Sequence, residues 1–433
     1  MIRKGKYVKK LSFWQATAIG LGNIVGAGIF VMAGSAISEA GPGALVAFVI
    51  TATLAITVGL NSAELASKMP GVEGGVYSFA KATLGDTVGF LVGWFRQISY
   101  AVSGAAVALG FSGYFVSLGS PSILYFPLAA LLIVALSYVE VKGVRLAARA
   151  EEALIIINIA GLATFVGVVL VFGKFTASNL IPFFPRDIAG LLLAANIAFF
   201  AYSGFNTIAT LTPDVEEGDR MVPRAIIFSL IVSTLLYVLV VFSMLLALKW
   251  SDYGNASNPL YLALSSIKAP MSASLLVAFS ALTATLTVTL SLIIAGSRTI
   301  RQMGEDDLLP KILGKGSWMP TVVTAGIMIA SLGLGNVESI ALVANFGVIF
   351  SYMLSGLEVI VARRRGFKGK FSSPGYPLVQ VFSLSLSAIM LVTLGIQSLM
   401  VGTGTLVIGL VVHSIHNELK RNINPPPGST LKS

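Results

Sequence analysis

The sequence predicts an all-α polytopic membrane protein, from its composition, its apolar stretches and the placement of its basic residues. Of the 433 residues, 55% are hydrophobic and 11% are charged, and the mean hydropathy is +0.87. A soluble globular protein carries about 25% charged residues. The lower share here indicates that most of the surface faces lipid rather than water.

A helix that spans a bilayer needs about 20 mostly apolar residues. The sequence contains twelve stretches that approach or exceed this length. They lie at 13–39, 43–67, 87–118, 122–141, 151–173, 188–213, 222–248, 271–297, 320–335, 337–362, 376–396 and 400–417. The ninth is short, and the third is long enough to cross the bilayer at a strong tilt.

Lysine and arginine are distributed unevenly between the segments that join these stretches. If the N-terminus is cytoplasmic, the outer segments hold Lys174, Arg186, Lys249 and Lys268, and nearly all other basic residues lie on the inner side. Basic residues accumulate on the cytoplasmic side of membrane proteins. The pattern predicts cytoplasmic N- and C-termini in a multi-pass protein of the plasma or inner membrane. It also explains the net charge of +10 without a nucleic-acid partner.

Several chemical functions are excluded by what the sequence lacks. It has no cysteine, and its two histidines, His413 and His416, lie together near the C-terminus, so a metal cluster in the core is not expected. No HExxH, GxSxG or P-loop motif occurs, which argues against an enzyme and against ATP-driven transport. No cofactor is predicted. A selectivity-filter signature is also missing, so a channel is the weaker alternative.

Two of the predicted spans contain an interruption at a similar depth. The first carries Gly20, Gly22, Gly26 and Gly28, and the sixth carries the stretch 199–206, FFAYSGFN. Glycine costs about 1 kcal/mol in a helix interior and lets the backbone leave helical geometry. Interruptions in corresponding positions of two halves indicate a transporter's binding site near the bilayer midplane.

The two interruptions together predict a site for a zwitterion. A helix that restarts near Gly28 points its N–H groups and positive dipole end at the midplane, which suits a carboxylate. The upper half of the sixth span ends near Ser203 with free carbonyl groups, which suit an ammonium group. The predicted ligand is therefore a small-molecule amino acid. The alternative is close helix packing alone, since Gly22 and Gly26 form a GxxxG motif.

Five stretches of the sequence form a pattern when they are taken in order. They are 22–30, GNIVGAGIF; 64–66 with Pro70 and 74–77; 199–206; 223–226; and 297–298 with 308–310. Together they resemble the amino acid–polyamine–organocation (APC) family, in which 22–30 looks like the first-helix signature and 199–206 like the sixth-helix core. The chain is thus similar to the amino acid permeases of this family.

The resemblance implies the leucine-transporter-like 5+5 inverted repeat, with two further C-terminal helices and twelve spans in all. The expected units are a cytosolic N-terminal segment, a first five-helix repeat, an inverted second repeat, helices 11 and 12, and a cytosolic tail. They cover residues 1–12, 13–175, 186–365, 374–420 and 421–433 respectively.

The resemblance also implies which residues bind the substrate. Ile24, Ala27 and Gly28 are expected to border its carboxylate, and Phe200 and Ser203 its amino group. Phe200 either occludes the substrate or merely lines the site. The full predicted set is Asn23, Ile24, Gly26, Ala27, Gly28, Phe200, Ser203, Gly204 and Asn206.

The coupling ion is left open by the sequence. Some proton-coupled relatives carry a lysine in helix five and others a glutamate in helix six, whereas this chain has Asn158 and Asn206, which cannot exchange a proton. A sodium site could use the Val25 carbonyl, the Asn158 amide and the hydroxyls of Thr283 and Thr287. Such hydroxyls also commonly bond their own helix. Uncoupled facilitation or exchange is the third alternative.

Ionisable residues at membrane depth default to a functional hypothesis with a partner. We expect Arg96 and Glu64 to pair as a cytosolic latch, with snorkelling to the inner interface as the alternative. Tyr202 is a candidate gate residue beside the second interruption.

The predicted function is secondary active transport of amino acids by alternating access. Neutral amino acids are favoured, because Asn206 replaces a carboxylate that a cationic side chain would need. The alternatives are a transporter or exchanger of cationic amino acids or polyamines, and a cation importer or channel on the same fold. The sequence does not predict an oligomeric state.

Overall fold

The computed structural model describes residues 10–69, 75–143, 148–173, 176–210, 212–254, 256–314, 316 and 318–423. These residues are helical and contain no β-strand; an isolated bridge pairs Leu11 with Val215. The predicted segment 1–12 and tail 421–433 lie largely outside them. The α-helices are α1 (Phe13–Ile24), α2 (Ala27–Ala40), α3 (Ala44–Lys68), α4 (Val76–Leu84), α5 (Asp86–Ser117), α6 (Tyr125–Val141), α7 (Ala148–Phe172), α8 (Asp187–Tyr202), α9 (Asn206–Thr210), α10 (Gly218–Ala247), α11 (Pro259–Ser266), α12 (Met271–Glu305), α13 (Trp318–Ser331), α14 (Val337–Arg364), α15 (Leu378–Val392) and α16 (Ile396–Ile423).

Eight helical stretches of the described chain are long and apolar enough to cross a membrane. They are Ala27–Lys68, Asp86–Ser117, Ser122–Val141, Ala153–Phe172, Gly218–Ala247, Met271–Glu305, Val337–Arg364 and Ile396–Lys420. Three shorter apolar stretches are Asp187–Tyr202, Trp318–Leu334 and Leu378–Val392. The first of the eight joins parts of two predicted spans. The predicted all-helical membrane architecture is therefore confirmed, and the count of twelve spans stays a prediction.

Both predicted interruptions are confirmed. The first span divides into α1 and α2, which are separated by Val25 and Gly26. The sixth divides into α8 and α9, which are separated by residues 203–205. Gly204 adopts a φ of +118°, a conformation that L side chains rarely adopt. Each span thus ends and restarts where the sequence places a glycine.

Helix α5 packs closely against α14 through a small residue. A Cβ atom at Gly347 in α14 would lie 2.3 Å from the Ser99 hydroxyl oxygen and 2.7 Å from the Phe95 carbonyl oxygen. Any larger side chain would push the two helices apart. Close approach at small residues is the usual means of helix association in membranes, where no hydrophobic force acts between helices.

The short helix α4 is attached to the end of α12. The Tyr77 hydroxyl donates to Asp306 Oδ2 at 2.6 Å, and Lys81 Nζ lies 3.1 Å from the same oxygen. Burial, followed by the hydrogen bond to the Asp306 carboxylate, raises the pKa of Tyr77. The phenol therefore keeps its proton and remains a donor. This attachment fixes the end of α12 relative to α4 and α5.

Candidate functional site

The two interruptions lie against each other in the interior. A Cβ atom at Gly28, in the first turn of α2, would lie 2.4 Å from the Cα of Ala201 in α8. A Cβ atom at Gly204 would lie 2.4 Å from the Asn23 carbonyl oxygen. Only glycine permits both approaches. The glycines that break the helices therefore also bring the two breaks into contact, so helix opening and helix packing occur together.

Tyr237 of α10 bonds to both broken spans. Its hydroxyl lies 2.7 Å from the Ile24 carbonyl oxygen and 3.0 Å from the Ala201 carbonyl oxygen. Both carbonyls belong to helix ends, which lack partners within their own helix. The side chain is fully buried and its ring lies edge-on to Phe48 and Tyr202. Sequence reasoning missed Tyr237, although a lone tyrosine in an apolar span needs a partner for its hydroxyl.

The N-terminus of α2 carries no side-chain cap. Gly26 is the N-cap residue, and its own N–H donates to the Ile24 carbonyl at 2.7 Å across the break. Ala27 and Gly28 form the first turn and are buried. Uncapped N–H groups and the positive end of the helix dipole suit an anionic group such as a carboxylate.

The C-terminus of α8 is less open than the sequence predicts. The Phe200 carbonyl accepts from the Ser203 hydroxyl at 2.8 Å and from the Ser203 N–H at 3.3 Å, and the Ala201 carbonyl accepts from Tyr237. At least these two carbonyls are therefore not free, because the chain after α8 and the Tyr237 side chain supply donors to them. Ser203 itself is exposed, whereas Phe200 is buried. The serine hydroxyl oxygen retains lone pairs that can accept from an ammonium group.

Asn206 begins the lower half of the sixth span. It is buried, and its amide meets no partner at hydrogen-bonding geometry within the described chain, although it lies near the Tyr352 hydroxyl of α14. The Tyr352 ring lies 5.4 Å from that of Phe205 and 5.8 Å from that of Phe199. Three aromatic rings thus border the second break. The Asn206 amide lies beside them and can form further hydrogen bonds.

The predicted coupling-ion residues are brought together in part. The Asn158 amide of α7 and the Thr283 hydroxyl of α12 lie 3.0 Å apart. The amide orientation that satisfies both of its atoms points nitrogen at Thr283, at the Ser280 carbonyl and at the Leu154 carbonyl. Sodium requires oxygen ligands, and this orientation presents a donor instead. Thr287 bonds the Thr283 and Ala284 carbonyls of its own helix.

The predicted pair of Arg96 and Glu64 does not form. Glu64 of α3 is fully buried and accepts from Arg363 Nε and Nη2 at 2.7 and 2.8 Å. The Ser373 N–H and hydroxyl donate to the same carboxylate at 2.8 and 2.6 Å. These four donors fill the carboxylate, which explains why a distant arginine is not needed. Arg96 instead donates to the Tyr100 hydroxyl at 2.7 Å.

Tyr202, the predicted gate residue, is fixed in the core. Its hydroxyl lies 3.2 Å from the Phe48 carbonyl oxygen and 3.2 Å from the Thr234 hydroxyl. The side chain has no exposed surface. In this structure it therefore packs between α3 and α10 rather than across a path to the breaks.

Comparison with known proteins identifies the family. The sequence model described as amino acid permease matches residues 15–412, nearly the whole chain. The chain belongs to the amino acid permease family. The resemblance inferred from the first and sixth spans is thereby confirmed. Members of this family are multi-pass membrane transporters and not enzymes, as the sequence predicts.

Relatives of this permease differ in their substrates. A branched-chain amino acid permease of Bacillus subtilis is 29% identical and aligns over 96% of this chain and 94% of its own length. A methylthioribose transporter of the same organism is 28% identical over 87% of each chain. A vacuolar cationic amino acid transporter of Arabidopsis thaliana is 25% identical over 82% of this chain and 63% of its own length.

Proposed function

We propose that this permease is a secondary active transporter of neutral amino acids that works by alternating access in the plasma membrane. The observation that carries the proposal is the contact between the two broken spans, in which the first turn of α2 meets Ala201, two residues before the exposed Ser203. The branched-chain amino acid permease among the relatives supports a neutral substrate.

The proposed site binds the two charged ends of an amino acid with different parts of the backbone. The first-turn N–H groups of α2 receive the carboxylate, and the Ser203 hydroxyl oxygen accepts from the ammonium group. Phe200, buried beside Ser203, closes over the side chain when the substrate is bound. The Asn206 amide can form hydrogen bonds to the substrate side chain and so helps to select among amino acids.

The proposed architecture is the 5+5 inverted repeat with α15 and α16 as the two additional helices. The equivalent breaks in the first and sixth spans support it, because repeats of this kind place their discontinuous helices at equivalent positions. The excess of basic residues on one side supports cytoplasmic termini. Bacterial relatives support the plasma membrane as the location.

A carrier of cationic amino acids is the second candidate. The similarity to a plant cationic amino acid transporter favours it. A carboxylate beside the substrate side chain would be expected for this role, and the position after the second break holds Asn206 instead. Neutral amino acids therefore remain the first proposal.

The test is counterflow in proteoliposomes loaded with unlabelled leucine. Labelled leucine should enter faster than into empty vesicles, because a carrier exchanges substrate across the membrane. Parallel vesicles loaded with lysine or methylthioribose test whether these compounds are exchanged instead of leucine. The same assay with sodium replaced by choline, and with an imposed pH gradient, identifies the coupling ion. Absence of stimulation by any amino acid would contradict the proposal.

A further inference from the structure

Arg96 is a charged residue that neither the fold nor the proposed binding mode explains. It lies ten residues after Asp86, the first residue of α5, which corresponds to about 15 Å along the helix at 1.5 Å per residue. Its guanidinium carbon lies 4.6 Å from the Tyr100 ring centroid and 5.4 Å from the Tyr352 ring centroid. Within the described chain, no aspartate or glutamate oxygen lies within 4.0 Å of it.

The positive charge of Arg96 is therefore not neutralised locally. Arginine stays protonated in proteins. The faces of the two tyrosine rings attract the cation through their quadrupoles but carry no net charge. A charge at this depth without an ionic partner is costly, so an acidic neighbour or a functional reason is expected.

Tyr352 connects Arg96 to the second break. One side of its ring receives the guanidinium. The rings of Phe199, in α8 before the break, and of Phe205, within the break, lie 5.8 and 5.4 Å away. The buried amide of Asn206 lies near its hydroxyl. Arg96 is thus separated from the proposed site by a single aromatic ring.

Arg96 keeps a small accessible surface, although its guanidinium lies deep among other groups. Arg96 and Tyr100 are partly exposed, although Phe95, Gln97 and Ser99 between and beside them are buried. Lipid contact would be unfavourable for a guanidinium. We therefore expect this surface to face the interior of the bundle rather than lipid.

We infer that Arg96 is a specificity-determining residue, whose uncompensated guanidinium beside the second break excludes substrates with a positively charged side chain. The inference rests on the proposed function and narrows its substrate class. Two unit charges about 10 Å apart in a protein environment repel enough to weaken binding by about tenfold. A zwitterion with an uncharged side chain escapes this penalty, because its own charges are bound by the two breaks.

The experiment compares lysine with norleucine, which has the same carbon chain without the ammonium group. Binding to the purified full-length protein in nanodiscs is measured at pH 7 by thermal stabilisation, together with competition against labelled leucine uptake. For the wild type, lysine should bind at least about tenfold more weakly than norleucine. In Arg96→Gln this ratio should fall by about tenfold, whereas Arg96→Lys, which keeps the charge, should retain it.

Two results would overturn the inference while leaving amino acid transport intact. One is a wild type that binds lysine as tightly as norleucine, a comparison that needs no variant to fold. The other is an Arg96→Gln protein that binds norleucine but keeps the wild-type ratio. A wild type that binds no amino acid at all would overturn the proposed function and this inference with it.

Discussion

The Tyr237 hydroxyl donates to the Ile24 carbonyl at 2.7 Å, on the side of the first break where α1 ends. Because the same hydroxyl also lies 3.0 Å from the Ala201 carbonyl oxygen, α10 bonds to both broken spans through one side chain. The first prediction concerns this bond. Tyr237→Phe keeps the ring and removes this donor. The Ile24 carbonyl keeps the Gly26 N–H, so the loss falls mainly on the Ala201 carbonyl, at a cost of about 1–3 kcal/mol.

Transport of labelled leucine by Tyr237→Phe should fall about tenfold, since about 1.4 kcal/mol corresponds to a factor of ten. Tyr253→Phe is the matched control, because that buried tyrosine also donates to a backbone carbonyl, that of Met244 at 2.6 Å, away from the breaks. Equal losses of transport in the two variants would show that removing any buried tyrosine hydroxyl has this effect, and that the bonds of Tyr237 to the two broken spans have no special role.

The second prediction concerns Gly28. A methyl group there would overlap the Cα of Ala201, a backbone atom that cannot move aside by rotation. Gly28→Ala should therefore reduce leucine counterflow below about one tenth of wild type, a loss of at least 1.4 kcal/mol. Gly167→Ala in α7, where a Cβ atom meets nothing within 4 Å, should retain activity. Wild-type counterflow by Gly28→Ala would argue against contact between the breaks.

The third prediction concerns the Glu64 carboxylate. Removing one partner from a buried ion pair costs about 3–5 kcal/mol. Glu64→Gln should therefore lower the melting temperature of the detergent-solubilised protein strongly. Glu39→Gln is the control, because its partner Arg186 is half exposed and such a pair contributes about 0–1 kcal/mol.

The same residue tests the latch that the sequence predicts. Since Glu64 binds Arg363 and not Arg96, combining Glu64→Arg with Arg96→Glu should not restore the transport that either single change removes. Recovery in the double variant would show that the predicted pair forms in another state of the cycle.

The fourth prediction concerns Asn158 and Thr283. Their bond joins α7 to α12, whereas Thr287 bonds within its own helix. Asn158→Ala and Thr283→Ala should slow leucine uptake to the same extent in sodium and in choline buffer, and Thr287→Ala should change it little. A loss that appears in sodium buffer alone would identify Asn158 as a sodium ligand.

The positions of the breaks could be predicted from the sequence because glycine acts locally. Gly26 and Gly204 weaken the helix where they stand, whatever packs nearby, so their effect is visible in a single segment. The apolar spans can be predicted for the same reason. The predicted first and sixth spans therefore agree with α1, α2, α8 and α9.

The partners of side chains could not be predicted in this way. Glu64 and Arg363 are 299 residues apart, and nothing near either one identifies the other. The sequence predicts a pair of Arg96 with Glu64, whereas the orientation of α5 places the Arg96 guanidinium beside Tyr100 and Tyr352. Contacts of this kind depend on how whole helices are oriented about their axes, which the apolar pattern of a fully buried helix does not fix.

The contact of Gly28 with Ala201 has a consequence for how the protein moves. The backbones of α2 and α8 touch at these residues, and the Tyr237 hydroxyl bonds to both broken spans. If one span slid past the other, this packing contact and the Tyr237 hydrogen bonds would be lost. We therefore expect the first and sixth spans to move as one rigid body. In the alternating-access cycle proposed above, rocking of that body against α5, α12 and α14 would open the site to each side in turn.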